Sequence, residues 1–494
     1  MKVTANGSFT YEVEDYYGDV VKKGKINSDG KSDKKINLTG ALGIGYYEIV
    51  VYSPESGKPL DRTSVSIVED YNFETTKDTS IFGVNSHIGK NAHRHIVDLV
   101  GDEAKKLGVG NLREGYYWHL METVKGQCAL NDNSLWYTAY KNGIGLYLTG
   151  GFRNLLYMPD EDIKYPTTAE AMEAFANYGQ VLCDAFPAKY PLKEYEVWNE
   201  WWAWDYTPEA IERYAEIFDY TYDKLSVTEP NTKLITCFVN RDTPVGYNYN
   251  EELLKTNVAQ QMDIATIHCY GGTQTSATDK RPEVISPVTE SVATLRDLMT
   301  KYGVGDKEIW LTETGYSTFP IDVYGNSVKP ENSSALSSKF CISEKEAAMY
   351  YPRLILLGLS EGCDRVYTYQ LCDGYYDINT QESFFGLLRG DETVCGVYSP
   401  KPMFSSYATL IRALDNTEFK TLDINGSCYE FTFANDTKTV TAVYSIDGAS
   451  TYTYYTDTPV TVIDIMGRSV EMIPENGRIT LDIDGNVQYI QKNI

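Results

Sequence analysis

Along residues 1–71 hydrophobic and polar positions alternate. Ser8–Val13, Lys34–Leu38, Gly45–Tyr52 and Arg62–Val68 carry β-branched and aromatic residues, with Asn, Asp, Gly, Ser and Pro between them. Short strands at this spacing predict a small antiparallel sandwich of Ig-like type. A glycan-binding module and a structural buttress both fit; no exposed aromatic platform stands out there, so the buttress is expected. From about residue 72 short apolar runs alternate instead with helix-like stretches, the signature of βα units. The runs are Ile81–Asn85, Val109–Arg113, Gly143–Leu148, Glu194–Glu200, Lys233–Val239, Met262–Tyr270, Glu308–Glu313 and Arg365–Leu371. Eight of them predict a (β/α)8 TIM barrel, with the residues beyond the usual ~250 placed in loops. After about residue 416 the strand pattern returns, punctuated by Asn425-Gly426, Asp447-Gly448, Asn476-Gly477 and Asp484-Gly485. The expected fold is therefore α/β: a barrel over 72–415, flanked by an N-terminal β-sandwich over 1–71 and a C-terminal β-sandwich over 416–494.

Composition narrows the function. The formal net charge of −25 opposes binding to a phosphate backbone or an anionic membrane, so no nucleic acid partner is expected. Forty-one Tyr and seven Trp suit sheet surfaces, and clefts that take sugar rings. The nine Cys are odd in number, irregular in spacing and free of any C-x-x-C, which predicts buried free thiols rather than a disulfide framework. No run of 18 apolar residues predicts a membrane span. The first residues, Met-Lys-Val-Thr-Ala-Asn-Gly-Ser, hold no apolar signal core. A cytoplasmic location is expected for the chain as written, and a secreted or cell-surface one if a signal peptide was trimmed. The pattern carries no signal of oligomeric state.

The chemistry concentrates in Tyr195-Glu-Val-Trp-Asn-Glu-Trp-Trp-Ala-Trp204, where the fourth strand gives way to an aromatic loop. Apolar surroundings disfavour a charged carboxyl, so Glu200 is a candidate proton donor. Thr207 as N-cap and Pro208 at the first helical position start the next helix. A second carboxylate, Glu313, ends the seventh strand in Glu308-Ile-Trp-Leu-Thr-Glu313. In a closed barrel the ends of strands four and seven share one mouth. Two carboxyls flanking one bond are what glycoside cleavage needs: one protonates the leaving oxygen, and the other attacks carbon or activates water.

Trp198-Asn199-Glu200 and Trp310-Leu-Thr-Glu313-Thr-Gly315, with His268-Cys-Tyr270 on strand six and Arg113 ending strand two, resemble the signatures of the retaining glycoside hydrolases of clan A. Within the clan the chain is most similar to family 39, which includes β-xylosidases and polysaccharide endohydrolases. Phe385-Gly386-Leu387-Leu388 and Lys401-Pro402 resemble the segment after strand eight there. The resemblance covers roughly residues 80–494. The N-terminal module lies outside the usual pattern, and the Trp201–Trp204 loop departs from the common Asn-Glu-Pro continuation. It implies Glu200 as acid/base and Glu313 as nucleophile. It further implies that Asn199 holds the sugar 2-hydroxyl, that Tyr270 hydrogen-bonds Glu313, and that Arg113 favours the ionised form of Glu313. Arg113 also reads as a structural ion-pair partner, and His268 as a residue that only orients its neighbours.

Four further side chains are expected at the substrate: His87 at the end of strand one, Tyr369 at the end of strand eight, and Trp202 and Trp204 of the aromatic loop, which also suit packing against the barrel rim. His93-x-His95 is a poor metal pair, because i and i+2 on a helix do not share a face. No metal or cofactor is expected. The function read from the sequence is a retaining glycoside hydrolase acting on a plant or microbial oligo- or polysaccharide. A non-catalytic glycan-binding barrel and a transglycosylase stand as alternatives.

Overall fold

A computed structural model describes residues 6–30, 35–71, 80–89, 93–130, 141–160, 162–185, 193–204, 207–240, 246–271, 279–285 and 288–494. The N-terminal strands β1 (Asn6–Asp15), β2 (Val20–Asp29), β3 (Gly45–Tyr52) and β4 (Pro59–Ile67) form one antiparallel sheet in the order β2-β1-β3-β4. Alternation along β1 sends Phe9, Tyr11 and Val13 to one face, where Tyr47, Ile49 and Val51 join them. Ile36, Leu38 and Leu42 pack onto that face. The second layer of this module is thus the segment between β2 and β3 rather than a second described sheet.

The eight apolar runs become β5 (Phe82–Asn85), β6 (Asn111–Gly115), β7 (Gly145–Thr149), β8 (Lys193–Glu196), β9 (Thr232–Phe238), β10 (Ile264–His268), β11 (Glu308–Thr314) and β12 (Arg365–Thr368). They pair in parallel and close into a barrel, with β12 returning to β5. Each strand is buried almost throughout, as expected of a parallel sheet covered by helices. Tyr147, Ile235, Ile264, Trp310 and Tyr367 fill the barrel interior. The helices follow their strands: α1 (Val97–Leu107) after β5, α2 (Ala169–Asp184) after β7, α3 (Pro208–Thr228) after β8, α4 (Gly246–Leu254) after β9, α5 (Val288–Lys301) after β10, α6 (Glu344–Ser360) after β11 and α7 (Pro402–Leu414) after β12. Thr207 caps α3 by accepting from the Ala210 amide at 3.2 Å, with Pro208 beside it. The C-terminal strands form a six-stranded sheet and a two-stranded sheet. These pack through Val443, Val460 and Ile490 against Ile479, Leu481 and Ile483.

Buried ion pairs join the modules. Arg389, 2% exposed, holds Glu344 at 2.6 Å and also donates to Ser64 of β4 at 2.8 Å. Arg353 of α6 holds Glu283 at 2.8 Å and reaches Gly485 of the C-terminal module. All nine cysteines are free, and seven of them are buried. Among the described residues, no helix is long and apolar enough to cross a membrane.

Candidate active site

The strand ends at the mouth of the barrel bring Glu200, Glu313, Asn199, Tyr270 and Tyr369 together around a cleft of about 340 Å³, with Gln381, Glu382 and Phe385 on its wall. An oxygen of Glu200 and an oxygen of Glu313 lie within 4.8 Å of each other.

Glu313 reaches the mouth because β11 is irregular. Ile267 of β10 pairs with Leu311, but His268 pairs with Glu313, so Thr312 is skipped. Strict alternation from the inward Trp310 would turn Glu313 outward; the extra residue re-aims it. Its carboxylate then accepts from Arg113 at 2.6 Å and from the Tyr270 hydroxyl at 2.5 Å. Both bonds favour the charged form. The same proximity works in reverse on Tyr270, where burial first, and then Glu313, push the phenol well above its usual range.

Glu200 is placed differently. Strand β8 stops at Glu196, four residues before Glu200, whereas the hydrophobic pattern carries the strand through to Glu200. Trp198 (φ 71°) and Glu200 (φ 47°) both adopt left-handed backbone, a conformation that costs a non-glycine residue energy unless its surroundings enforce it. The enforcement is aromatic. Trp198 and Trp201 are buried 5.2 Å apart, Trp201 packs on Tyr165 and Tyr214, and its indole donates to Ala210 at 2.8 Å. The tryptophans around Glu200 therefore set the backbone.

His268 links the two acids. Its Nδ1 lies 2.6 Å from Glu200 and 3.5 Å from Glu313, and its Nε2 lies 3.1 Å from Thr312 Oγ1. Burial opposes a charge on this ring, but Cys237, Glu313 and Glu200 together outweigh it and hold its pKa well above the ordinary histidine value.

Arg113 organises the floor. It donates to Glu196 at 2.6 Å, to Asn85 at 2.9 Å and to Asn199 at 2.6 Å, besides Glu313, and its guanidinium lies over Tyr147. Glu196, wholly buried, also accepts from Thr149 at 3.0 Å. Glu196 and Asn85 are partners of Arg113 that the sequence reading passed over. A carboxylate inside an apolar barrel strand needs a buried partner, and that was the available signal for Glu196. Glu382 lies in the long loop after β12 and had no such signal.

The other expected residues divide. His87 packs edge-on to Tyr369 at 5.2 Å, beside the cleft rather than on its wall. Trp202 packs against the core with its indole nitrogen buried, away from the cleft wall. The Trp204 side chain lies outside the described residues. Among the described residues two groups of possible metal donors come together, Glu200/His268/Glu313 and Glu196/Cys237/His268. The Arg113 guanidinium bonded to Glu313 and Glu196 opposes a further cation in either.

No protein-family model matches the chain, and no curated protein matches it. Solved structures do. A family 39 glycoside hydrolase from the gut symbiont Bacteroides cellulosilyticus WH2 superposes with a TM-score of 0.72 at 19% identity, over 99% of this chain and 96% of that one. An α-L-arabinofuranosidase from Thermotoga maritima superposes with a TM-score of 0.55 at 13% identity, over 85% and 97%. A family 51 α-L-arabinofuranosidase from Thermotoga petrophila RKU-1 gives 0.54 at 13%, over 80% and 90%. The first likeness takes in the N-terminal module, which the motifs alone left outside the pattern. In fold, barrel and flanking β-modules together, this chain is similar to the family 39 glycoside hydrolase.

Proposed function

We propose that this protein is a retaining glycoside hydrolase of clan A that cleaves O-glycosidic bonds of a plant or microbial oligo- or polysaccharide by double displacement. The observation that carries the reading is the carboxyl pair, with oxygens within 4.8 Å in one cleft. That spacing fits the ~5–5.5 Å of retaining enzymes and leaves too little room for the water of an inverting one. Glu313, ionised between Arg113 and Tyr270, attacks the anomeric carbon. Glu200, more open to the cleft, protonates the leaving oxygen and then deprotonates the incoming water. Arg113 engages the Asn199 carbonyl oxygen, so its amide nitrogen is the donor offered to the sugar 2-hydroxyl. Tyr369 and Phe385 supply apolar surface beneath the ring. Arg113 and His268 are positioning residues in this scheme. The chain is organised as three modules with boundaries near residues 71 and 415, and the N-terminal sheet is a buttress.

The test is covalent. A 2-fluoro glycoside should trap on Glu313, located by peptide mass. Azide should restore turnover to Glu313→Ala as the inverted glycosyl azide. Wild-type activity in Glu313→Ala would sink the reading, and a label on another residue would move the nucleophile.

A further inference from the structure

A second cleft of about 370 Å³ opens on the same face of the barrel, beside the start of α1 and the loop after β12. We propose that it is a distal saccharide subsite, which holds a further sugar unit of the substrate on the side of the cleaved bond away from Glu200. The proposal rests on the glycosidase reading and extends it to an oligomeric substrate.

The cleft combines aromatic and apolar side chains, Ile96, Tyr375 and Tyr398, with the converging polar groups of His95, Asp391 and Glu392. Tyr375, 66% exposed, presents an aromatic face there at no structural cost. The His95 Nε2 lies 3.1 Å from the Tyr398 hydroxyl and 3.6 Å from Asp391. These three side chains form a polar edge that can both donate to and accept from hydroxyls. Glu392 is fixed by the Tyr376 amide at 3.2 Å.

Packed aromatic rings bridge the wall between the two clefts. Tyr369 on the catalytic wall meets His87 at 5.2 Å, and His87 stacks on His93 at 6.2 Å. His93 lines the second cleft and is locked there by the backbone carbonyl of Ser86 at 2.7 Å. The path leaves the catalytic cleft from the Tyr369 side. Glu200, which would face the leaving group, takes no part in it. A sugar chain that reaches from the catalytic cleft past Tyr369 to the second cleft therefore extends from the unit attached to Glu313.

The test uses full-length Glu313→Gln protein in native gels cast with xylan, arabinogalactan or mixed-linkage β-glucan. At least one should retard it. Adding Tyr375→Ala or Asp391→Ala should weaken that retention about tenfold. Both positions are exposed, so neither change threatens the fold. In otherwise wild-type protein, Tyr375→Ala should spare turnover of 4-nitrophenyl monoglycosides and lower kcat/KM only on the retained polymer. Unchanged retention in both double variants, or no retention by any of the three polymers, overturns the subsite. Loss of retention with Tyr375→Ala in a protein that hydrolyses no glycoside would keep the subsite and overturn the catalytic reading instead.

Discussion

Glu313 and Glu200 face one cleft but are held by opposite means. Glu313 sits on a strand, its side chain 9% exposed, with Arg113 and Tyr270 donating to it at 2.5–2.6 Å. Glu200 sits beyond the end of a strand in left-handed backbone, its side chain 27% exposed, with His268 as its close partner. One acid is fixed by what its oxygens touch, and the other by the packing of the chain that carries it. The difference suits two tasks. A nucleophile must stay ionised and aligned on one carbon, whereas a proton donor must exchange protons with the leaving group and with water.

Substitutions separate the two sides most sharply at the acids themselves. Glu313→Ala should lower kcat by roughly 10⁶, the scale on which covalent nucleophiles fail. Glu200→Ala should cost about 10²–10⁴. That loss should shrink with leaving groups that need no proton, seen as a flattening across a series of aryl glycosides. Tyr270→Phe removes one charge-assisted bond from the anchored side and should slow turnover about 10–10²-fold with little change in KM. Glu196→Ala leaves Arg113 with one counter-charge fewer in a buried site. It should destabilise the protein by about 3–5 kcal/mol, read by urea unfolding, with a smaller effect on KM. The subtlest difference lies in pH. The folded-state pKa of His268 is raised, so its contribution is complete below its unfolded value of about 6.5 and is lost as pH rises through the folded one. The urea midpoint of the wild type should therefore fall above about pH 6.5 more steeply than that of His268→Gln. Equal slopes would mean that His268 does not carry the proton linked to folding.

The barrel was legible because parallel strands buried on both faces read as apolar runs, and each run lies within a few residues of its strand. The pair Glu200/Glu313 was legible because strand ends of a closed barrel converge on one mouth. What escaped was set by tertiary contact. Alternation along β11 gives no hint that Thr312 is skipped, since the irregularity belongs to the pairing with β10. The cluster Trp201–Trp204 reads equally as a sugar platform and as rim packing; in the structure Trp201 is buried against Tyr165 and Tyr214, and Trp202 is partly buried against the core. Glu382 and Tyr375 line the catalytic cleft and the second cleft respectively only through the path of the loop between β12 and α7, which alternation does not encode.

Arg389 has a consequence for taking the molecule apart. Its guanidinium is shared between a barrel helix and the N-terminal sheet, with water excluded. Detaching the sheet would bare a charge pair that only the intact interface seals, so the sheet is not a removable appendage. Heating should melt sheet and barrel in a single calorimetric transition, and a protease that nicks the chain between them should leave the two halves bound.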